Sequence, residues 1–220
     1  DVHINCCNAN APRAFAMIPR ITYRVPNKDR IDINLYMPSQ AILQTGKRTF
    51  TLTQQTGYPA SNEVKITVTP DKTTQANIAL RIPGWTPNAT VKVNGETMKG
   101  VASGEYYVIN RQWNAGDEIT LTMEMPAHLV SLNQSVAIER GPIVYARDSR
   151  FNDGFVDEVV TIPNKDGIIQ MKTEENGKDM WITVSVPMVR GTYNDASTDT
   201  RHIRLCDFAS AGSTWDERIR

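Results

Sequence analysis

Apolar and polar residues alternate along most of this chain, and that period of two constrains the fold more than any other feature. In Ile31-Asp32-Ile33-Asn34-Leu35-Tyr36-Met37 the alternation places Ile31, Ile33, Leu35 and Met37 on one face of an extended strand. The pattern returns in Phe50-Thr51-Leu52, Val64-Lys65-Ile66-Thr67-Val68, Ile78-Ala79-Leu80-Arg81-Ile82 and Val91-Lys92-Val93. It continues in Tyr107-Val108-Ile109, Ile119-Thr120-Leu121-Thr122-Met123, Val136-Ala137-Ile138 and Ile182-Thr183-Val184-Ser185-Val186. A helix would repeat its apolar positions every 3.6 residues, and these segments do not. They are rich in Thr, Val and Ile, which suit a pleated, half-buried surface.

Turn signals separate the strands at short intervals: Thr56-Gly57-Tyr58-Pro59, Pro83-Gly84, Asn94-Gly95, Ala115-Gly116-Asp117, Asn164-Lys165-Asp166-Gly167 and Asn176-Gly177. Asn94-Gly95 predicts a two-residue hairpin, since both residue types tolerate the positive φ of a type I′ turn. Many short strands with regular turns predict an all-β chain built as antiparallel, jelly-roll-like β-sandwiches.

Only the start of the chain reads differently. Asn10 is a candidate helix cap, Pro12 fits a first turn, and Ala14 to Ile18 follow. Pro19 is hard to place inside such a helix. A two-turn helix has little stability without a surface to pack on. Residues 1–20 therefore read as the end of another structure, a helical remnant joined to a β region. A second boundary is expected near the polar stretch Ser131-Leu132-Asn133-Gln134-Ser135, after Pro126. The expected division is one sandwich at 21–130 and another at 131–220.

With 220 residues, 40% hydrophobic and 22% charged, the composition is that of a globular protein. Lys and Arg number 24 and Asp and Glu 24. That balance argues against a broad nucleic-acid or anionic-membrane surface, which needs a basic excess. No apolar run reaches the roughly 18 residues of a membrane span. Asp1-Val2-His3 lacks the charged and apolar regions of a secretory leader, so a mature product or a piece of something longer is expected.

Cys6 and Cys7 are adjacent, and the third cysteine is Cys206. A vicinal disulfide is strained, because bridged cysteines keep their Cα atoms about 4.4–6.8 Å apart and neighbours sit near 3.8 Å. A metal-bound or nucleophilic thiolate is one reading of the pair, with His3 nearby; two small buried residues is the other. The carboxylate pairs Asp117/Glu118, Asp157/Glu158, Glu174/Glu175 and Asp216/Glu217 could supply acid–base chemistry, but their polar surroundings suggest solvated charges. His3, His128 and His202 are too scattered to assign to a triad. Trp85, Trp113, Trp181, Trp215 and Tyr58 could stack on sugar rings or plug a core. Asn88-Ala89-Thr90 and Asn133-Gln134-Ser135 match the glycosylation sequon.

Three stretches together resemble one family. They are INCCNANAPRAF at 4–15, LRIPGW at 80–85 with VKVNGE at 91–96, and VAIERGPIVYARD at 136–148, which follows WNAGDEITLTMEMP at 113–126. In this order they resemble the C-terminal third of the glycoside hydrolase family 127 group, the β-L-arabinofuranosidase-like enzymes. The resemblance covers most of the chain and is loose over 149–200.

It implies a layout of an (α/α)6 catalytic barrel followed by two β-sandwiches. It also implies that Cys6 is a nucleophile and zinc ligand and that Cys7 is a zinc ligand. Zinc would then hold the thiolate for attack on the anomeric carbon, and two displacements would retain configuration. The remaining ligands, a Glu and a Cys, and the acid/base Glu lie upstream in the family, and only five residues precede Cys6 here. Where family enzymes often carry Cys-Cys-Pro-Pro-Asn, this chain has Cys6-Cys7-Asn8-Ala9-Asn10. The resemblance thus implies a portion of a glycoside hydrolase, inactive alone and without zinc of its own. Its partners would be its own barrel and a plant-type or other oligosaccharide, in the periplasm or outside a bacterial cell. A carbohydrate-binding β-sandwich module is the alternative reading.

Overall fold

The computed structural model describes residues 5–133, 135–153, 158–175, 180–192 and 200–212. The chain divides into two compact units, Asp1–Glu124 and Met125–Arg220.

The first unit begins with helix α1 (Asn5–Thr22). Ten strands follow: β1 (Tyr23–Asn27), β2 (Arg30–Ile33), β3 (Ser39–Thr45), β4 (Arg48–Thr56), β5 (Glu63–Pro70), β6 (Thr74–Arg81), β7 (Ala89–Val93), β8 (Glu96–Thr97), β9 (Tyr106–Trp113) and β10 (Asp117–Met123). They form a four-stranded sheet, β1-β2-β6-β9, and a six-stranded sheet, β3-β4-β5-β10-β7-β8. The alternation decides which face of each strand enters the core. On β5, Val64, Ile66 and Val68 are buried while Glu63, Lys65 and Thr69 are exposed. Side chains of Ile31, Ile33, Ile78, Leu80 and Trp113 from one sheet share a core with Phe50, Leu52, Ile66, Ile119 and Leu121 from the other. Two sheets with apolar inner faces and polar outer faces make a β-sandwich, as the alternation predicts.

Three local expectations change. The alternation of 31–37 stops at Ile33, and Tyr36, not Leu35 or Met37, is buried, its hydroxyl donating to the Arg81 carbonyl at 2.8 Å. Strand β2 pairs in parallel with β6, through Ile31↔Ile78 and Ile33↔Leu80, within an otherwise antiparallel unit. The helix runs through both Pro12 and Pro19 to Thr22. Asn94-Gly95 joins β7 to β8 with φ of 51° and 83°, the left-handed pair a type I′ turn needs.

The second unit contains β11 (Ala127–Leu132), β12 (Ser135–Arg140), β13 (Ile143–Arg147), β14 (Val160–Thr161), β15 (Asn164–Lys165), β16 (Ile168–Ile169), β17 (Lys172–Thr173), β18 (Thr183–Arg190) and β19 (Thr200–Asp207). One nine-stranded sheet runs β14-β18-β19-β13-β12-β11-β16-β15, with β17 on β18. Only Gln170 and Met171 separate β16, beside β11, from β17, beside β18. Two residues cannot bridge a flat sheet of that width, so the sheet curls on itself. Its core joins Ala127, Ile138 and Ile169 from one end to Val184, Val186, Met188, Ile203 and Leu205 from the other. Ser131 to Ser135, expected as a boundary, lies at a hairpin: Leu132 pairs with Ser135, and Asn133 has a φ of 55°. A division at 130/131 would therefore cut β11.

Candidate functional site

Cys6 and Cys7 fall in the first turn of α1, and their side chains lie outside the described residues, as does His3. The backbone places the two positions about 100° apart around the helix, at the end that carries its partial positive charge. From there the helix runs about 22 Å to Thr22, at roughly 1.5 Å per residue. Nothing in its sequence makes it stable alone. Pro12 and Pro19 each remove a backbone donor, and residues 10–17 are all exposed. Phe15 is 70% exposed, Met17 50% and Ile21 47%.

The far end of the helix is firmly held. Asn34, just after β2, donates its backbone N–H to the Thr22 carbonyl at 2.8 Å and its side-chain amide to the Ile21 carbonyl at 2.9 Å. These are two of the carbonyls a helix C-terminus leaves without partners. Asn34 is fixed in turn by Arg81, whose Nε donates to its carbonyl at 2.9 Å, and by the Tyr106 hydroxyl, which donates to its Oδ1 at 2.5 Å. The Arg30 guanidinium lies 5.6 Å from the Tyr106 ring centroid. Every polar group of Asn34 is thus used to join helix to sandwich. In the sequence Asn34 was only a polar position in an alternating run; no local pattern marks a residue whose partners lie 13, 47 and 72 positions away.

The aromatic candidates separate cleanly. Trp113 is fully buried, and its indole N–H donates to the Ala76 carbonyl at 3.1 Å, so it is a core plug. Trp85 is half-buried and stacked with Tyr58, with centroids 6.5 Å apart and ring planes at 13°. Tyr36 meets Tyr58 edge-on at 6.0 Å and 85°. Burial pushes the Tyr58 phenol above its ordinary range, and the charge of Arg81 opposes that rise. Trp181 is 51% exposed in the second unit, and Trp215 lies outside the described residues.

Among the described residues, the carboxylates of the candidate pairs that have side-chain partners are held in structural contacts. Asp117, expected as a solvated charge, is buried: it accepts from the Asn114 N–H and the Asn94 amide, each at 2.9 Å. Burial raises its pKa, but these bonds and Arg111 outweigh burial and hold it below the usual carboxylate range. Glu174 accepts from the Ser185 hydroxyl at 2.8 Å, and Glu158 pairs with Arg190 at 2.5 Å. Asp157, Asp216 and Glu217 lie outside the described residues. His128 sits 3.7 Å from Glu139, and His202 is exposed on β19. Cys206 is fully buried, and burial, reinforced by Asp148, pushes its thiol pKa up, the opposite of an activated nucleophile.

Zinc takes four ligands, and two adjacent cysteines supply at most half of them. Among the described residues no three His, Cys, Asp or Glu side chains converge to complete such a set. Among the same residues, no helix is long and apolar enough to cross a membrane.

The described residues thus form a β-sandwich fed by a helix that ends on its sheet, together with a second β unit. The comparisons make the class specific. The family described as β-L-arabinofuranosidase, GH127 middle domain, matches residues 30–125, nearly all the strands of the first unit. A GH127 β-L-arabinofuranosidase from Geobacillus stearothermophilus T6 superposes with a TM-score of 0.78 at 25% identity, over 93% of this chain and 35% of that one. Another solved GH127 β-arabinofuranosidase gives a TM-score of 0.78 at 25% identity, over 93% of this chain and 36% of that one. A third, described as a glycoside hydrolase, shares the fold with a TM-score of 0.72 at 22% identity, over 95% of this chain and 38% of its own. A comparison of the sequence with curated proteins gives no match. The chain is thus similar to GH127 β-L-arabinofuranosidases, by the family model over residues 30–125 and by fold over 93% of its length, and it spans about a third of the length of these solved structures.

Proposed function

We propose that this chain is the β-sandwich portion of a retaining glycosidase acting on arabinofuranosidic or related bonds, accessory to a catalytic barrel and inactive alone. The observation that carries the reading is α1: a helix with large apolar side chains on its surface, anchored through Asn34 to the domain that the GH127 family matches. Exposed Phe15, Met17 and Ile21 on a proline-interrupted helix call for a covering surface. The barrel that precedes the sandwiches in the resembling enzymes is that surface. In this reading Cys6 is the nucleophile and a ligand, and Cys7 a second ligand, of a zinc site whose other ligands come from the barrel. The sandwich sets the direction in which the helix presents them.

The test is hydrolysis of p-nitrophenyl β-L-arabinofuranoside, with metal content measured on the same preparations. The chain alone is expected to be inactive and to hold no stoichiometric zinc. The chain joined to the region encoded before Asp1 is expected to hydrolyse the substrate, and Cys6→Ser to abolish that hydrolysis. Zinc at one equivalent in the chain alone, or a longer protein indifferent to Cys6→Ser, would overturn the reading.

A further inference from the structure

Away from α1, the first unit carries a pair of aromatic rings whose polar tips make no hydrogen bond among the described residues. Tyr58 follows β4, and Trp85 follows β6. With planes at 13° and centroids 6.5 Å apart, a contact spacing of about 3.5 Å between rings leaves a lateral offset of about 5.5 Å. Offset parallel rings form a stepped platform, longer than one ring. The rings pack partly on the core cluster and are neither fully buried nor loose.

The supports are specific. The Tyr58 N–H donates to the Thr56 hydroxyl at 2.9 Å, and the Ser61 N–H to the Gly57 carbonyl at 3.1 Å. Before Trp85, Ile82 exchanges backbone hydrogen bonds with Glu105 and Gly104, at 2.8 and 3.0 Å. After it, the Thr86 hydroxyl donates to the Asn88 and Glu124 carbonyls, and the Ser103 hydroxyl donates to the Thr86 carbonyl. A Cβ on Gly84 would stand 3.9 Å from the Gly104 Cα, so these two loops touch backbone to backbone beside Trp85. The ring positions are therefore set before any ligand arrives, which lowers the ordering cost of binding.

Neither the Tyr58 hydroxyl nor the Trp85 indole N–H has a hydrogen-bond partner among the described residues. Beside them Arg81, close enough for its charge to act on Tyr58, donates Nε to Asn34, and among the described residues its terminal nitrogens make no hydrogen bond. Trp113, the other tryptophan of this unit, shows what a structural indole looks like here: fully buried and hydrogen-bonded. Apolar ring faces edged by unused donors match a ligand with C–H faces and hydroxyl edges.

We propose that Tyr58 and Trp85 form a binding platform for a neutral oligosaccharide, with sugar rings against the aromatic faces and hydroxyls accepting from Trp85 Nε1, Arg81 and the Tyr58 hydroxyl. The ligand class rests on the glycosidase reading; the site is separate from Cys6 and Cys7 in sequence and needs no catalysis. It would hold part of a substrate chain apart from the bond being cleaved.

The test is a titration of the whole chain with arabinotriose and with cellotriose, following the tryptophan indole N–H signals by NMR. Trp85→Phe identifies the Trp85 signal. Saturable movement of that signal at millimolar sugar is expected with at least one trisaccharide. Trp85→Ala should weaken binding about tenfold, and Trp181→Ala should leave it unchanged. Tyr58→Phe keeps the ring and removes the hydroxyl, so it should weaken binding a few-fold even if Trp85→Ala fails to fold. No saturable shift with either sugar would overturn the proposal. So would folded Trp85→Ala and Tyr58→Phe proteins that bind as the parent does. Because binding is read on this chain without hydrolysis, these outcomes are independent of the Cys6 test.

Discussion

The two β units solve the same packing problem by different means. The first closes a core between two sheets of long, regularly alternating strands, with side chains such as Phe50, Leu52, Ile66, Ile119 and Leu121 fully buried. The second curls one sheet on itself, and four of its strands are two residues long: β14, β15, β16 and β17. Such strands bury little apolar surface, and polar clasps do part of the holding. Asp148 accepts from the Arg150 N–H and guanidinium and from the Gly212 N–H, while the guanidinium also reaches the Ser210 carbonyl. Asp207 accepts from the Ile182 and Ser210 N–H groups and the Ser210 hydroxyl. Arg204 binds Asp153 and the Phe151 carbonyl and lies 4.9 Å from the Phe151 ring centroid. Both units use charge-assisted hydrogen bonds, such as Arg48 to Asp29 in the first. The contrast teaches that long alternating strands dominate the first unit, while in the second such bonds between distant segments stand beside very short strands.

The sharpest way to break this comparison is to attack each unit by its own glue and follow urea unfolding with probes in both. Trp113→Ala removes the largest fully buried side chain of the first unit and should cost it about 4 kcal/mol. The transition of the second unit should stay in place; movement of both together would mean that the units unfold as one. Asp148→Asn removes the carboxylate charge that accepts from Arg150 and from the Gly212 N–H and should cost the second unit about 3 kcal/mol.

Acid probes the same contrast. The hydrogen bonds from Arg150, then those from the Gly212 and Arg150 N–H groups, hold the Asp148 carboxyl well below the usual carboxylate range despite its burial. A depressed folded pKa means that the stabilisation is complete above the unfolded value of about 4 and is lost as the pH falls below it. The second unit should therefore lose stability from about pH 4 downward, and Asp148→Asn should flatten that slope. A slope unchanged in the variant would put the acid sensitivity elsewhere. Gly95→Ala places a side chain at a φ of 83° and should cost the first unit about 1 kcal/mol. Smallest of all, Phe15→Ser on the exposed helix should leave both transitions within about 0.5 kcal/mol. A larger loss would mean that α1 packs on this chain after all.

Legibility in the sequence follows the same divide. The strands of the first unit could be read because each buries one face, so burial writes itself as period two: Val64, Ile66 and Val68 were placed correctly from their spacing alone. β17 could not be read, since Lys172 and Thr173 carry no pattern and are strand only because β18 lies alongside. β3 escaped for a related reason, as an edge strand whose Ile42 is 74% exposed. Pro19 suggested a helix end that the structure does not have; the helix continues because its last carbonyls are met by Asn34. Of the candidate sites, Cys6 and Cys7 stood out as an unusual pair, and a resemblance gave them a role. The aromatic pair was visible only as separate residues, Tyr58 and Trp85, 27 positions apart.

By itself, then, the sequence determined what local rules can carry: an all-β chain, the Asn94-Gly95 turn, the inward faces of the longer strands and the family resemblance. Hydrophobic burial and backbone sterics act over a few residues, so they leave a local trace. Tertiary structure alone decided that Trp113 fills a core while Trp85 stacks on Tyr58, that Asp117 is buried, and that Asn34 ties a helix to a sheet. Each of those depends on which distant backbone lies within about 3 Å, a distance fixed only when the sheets close.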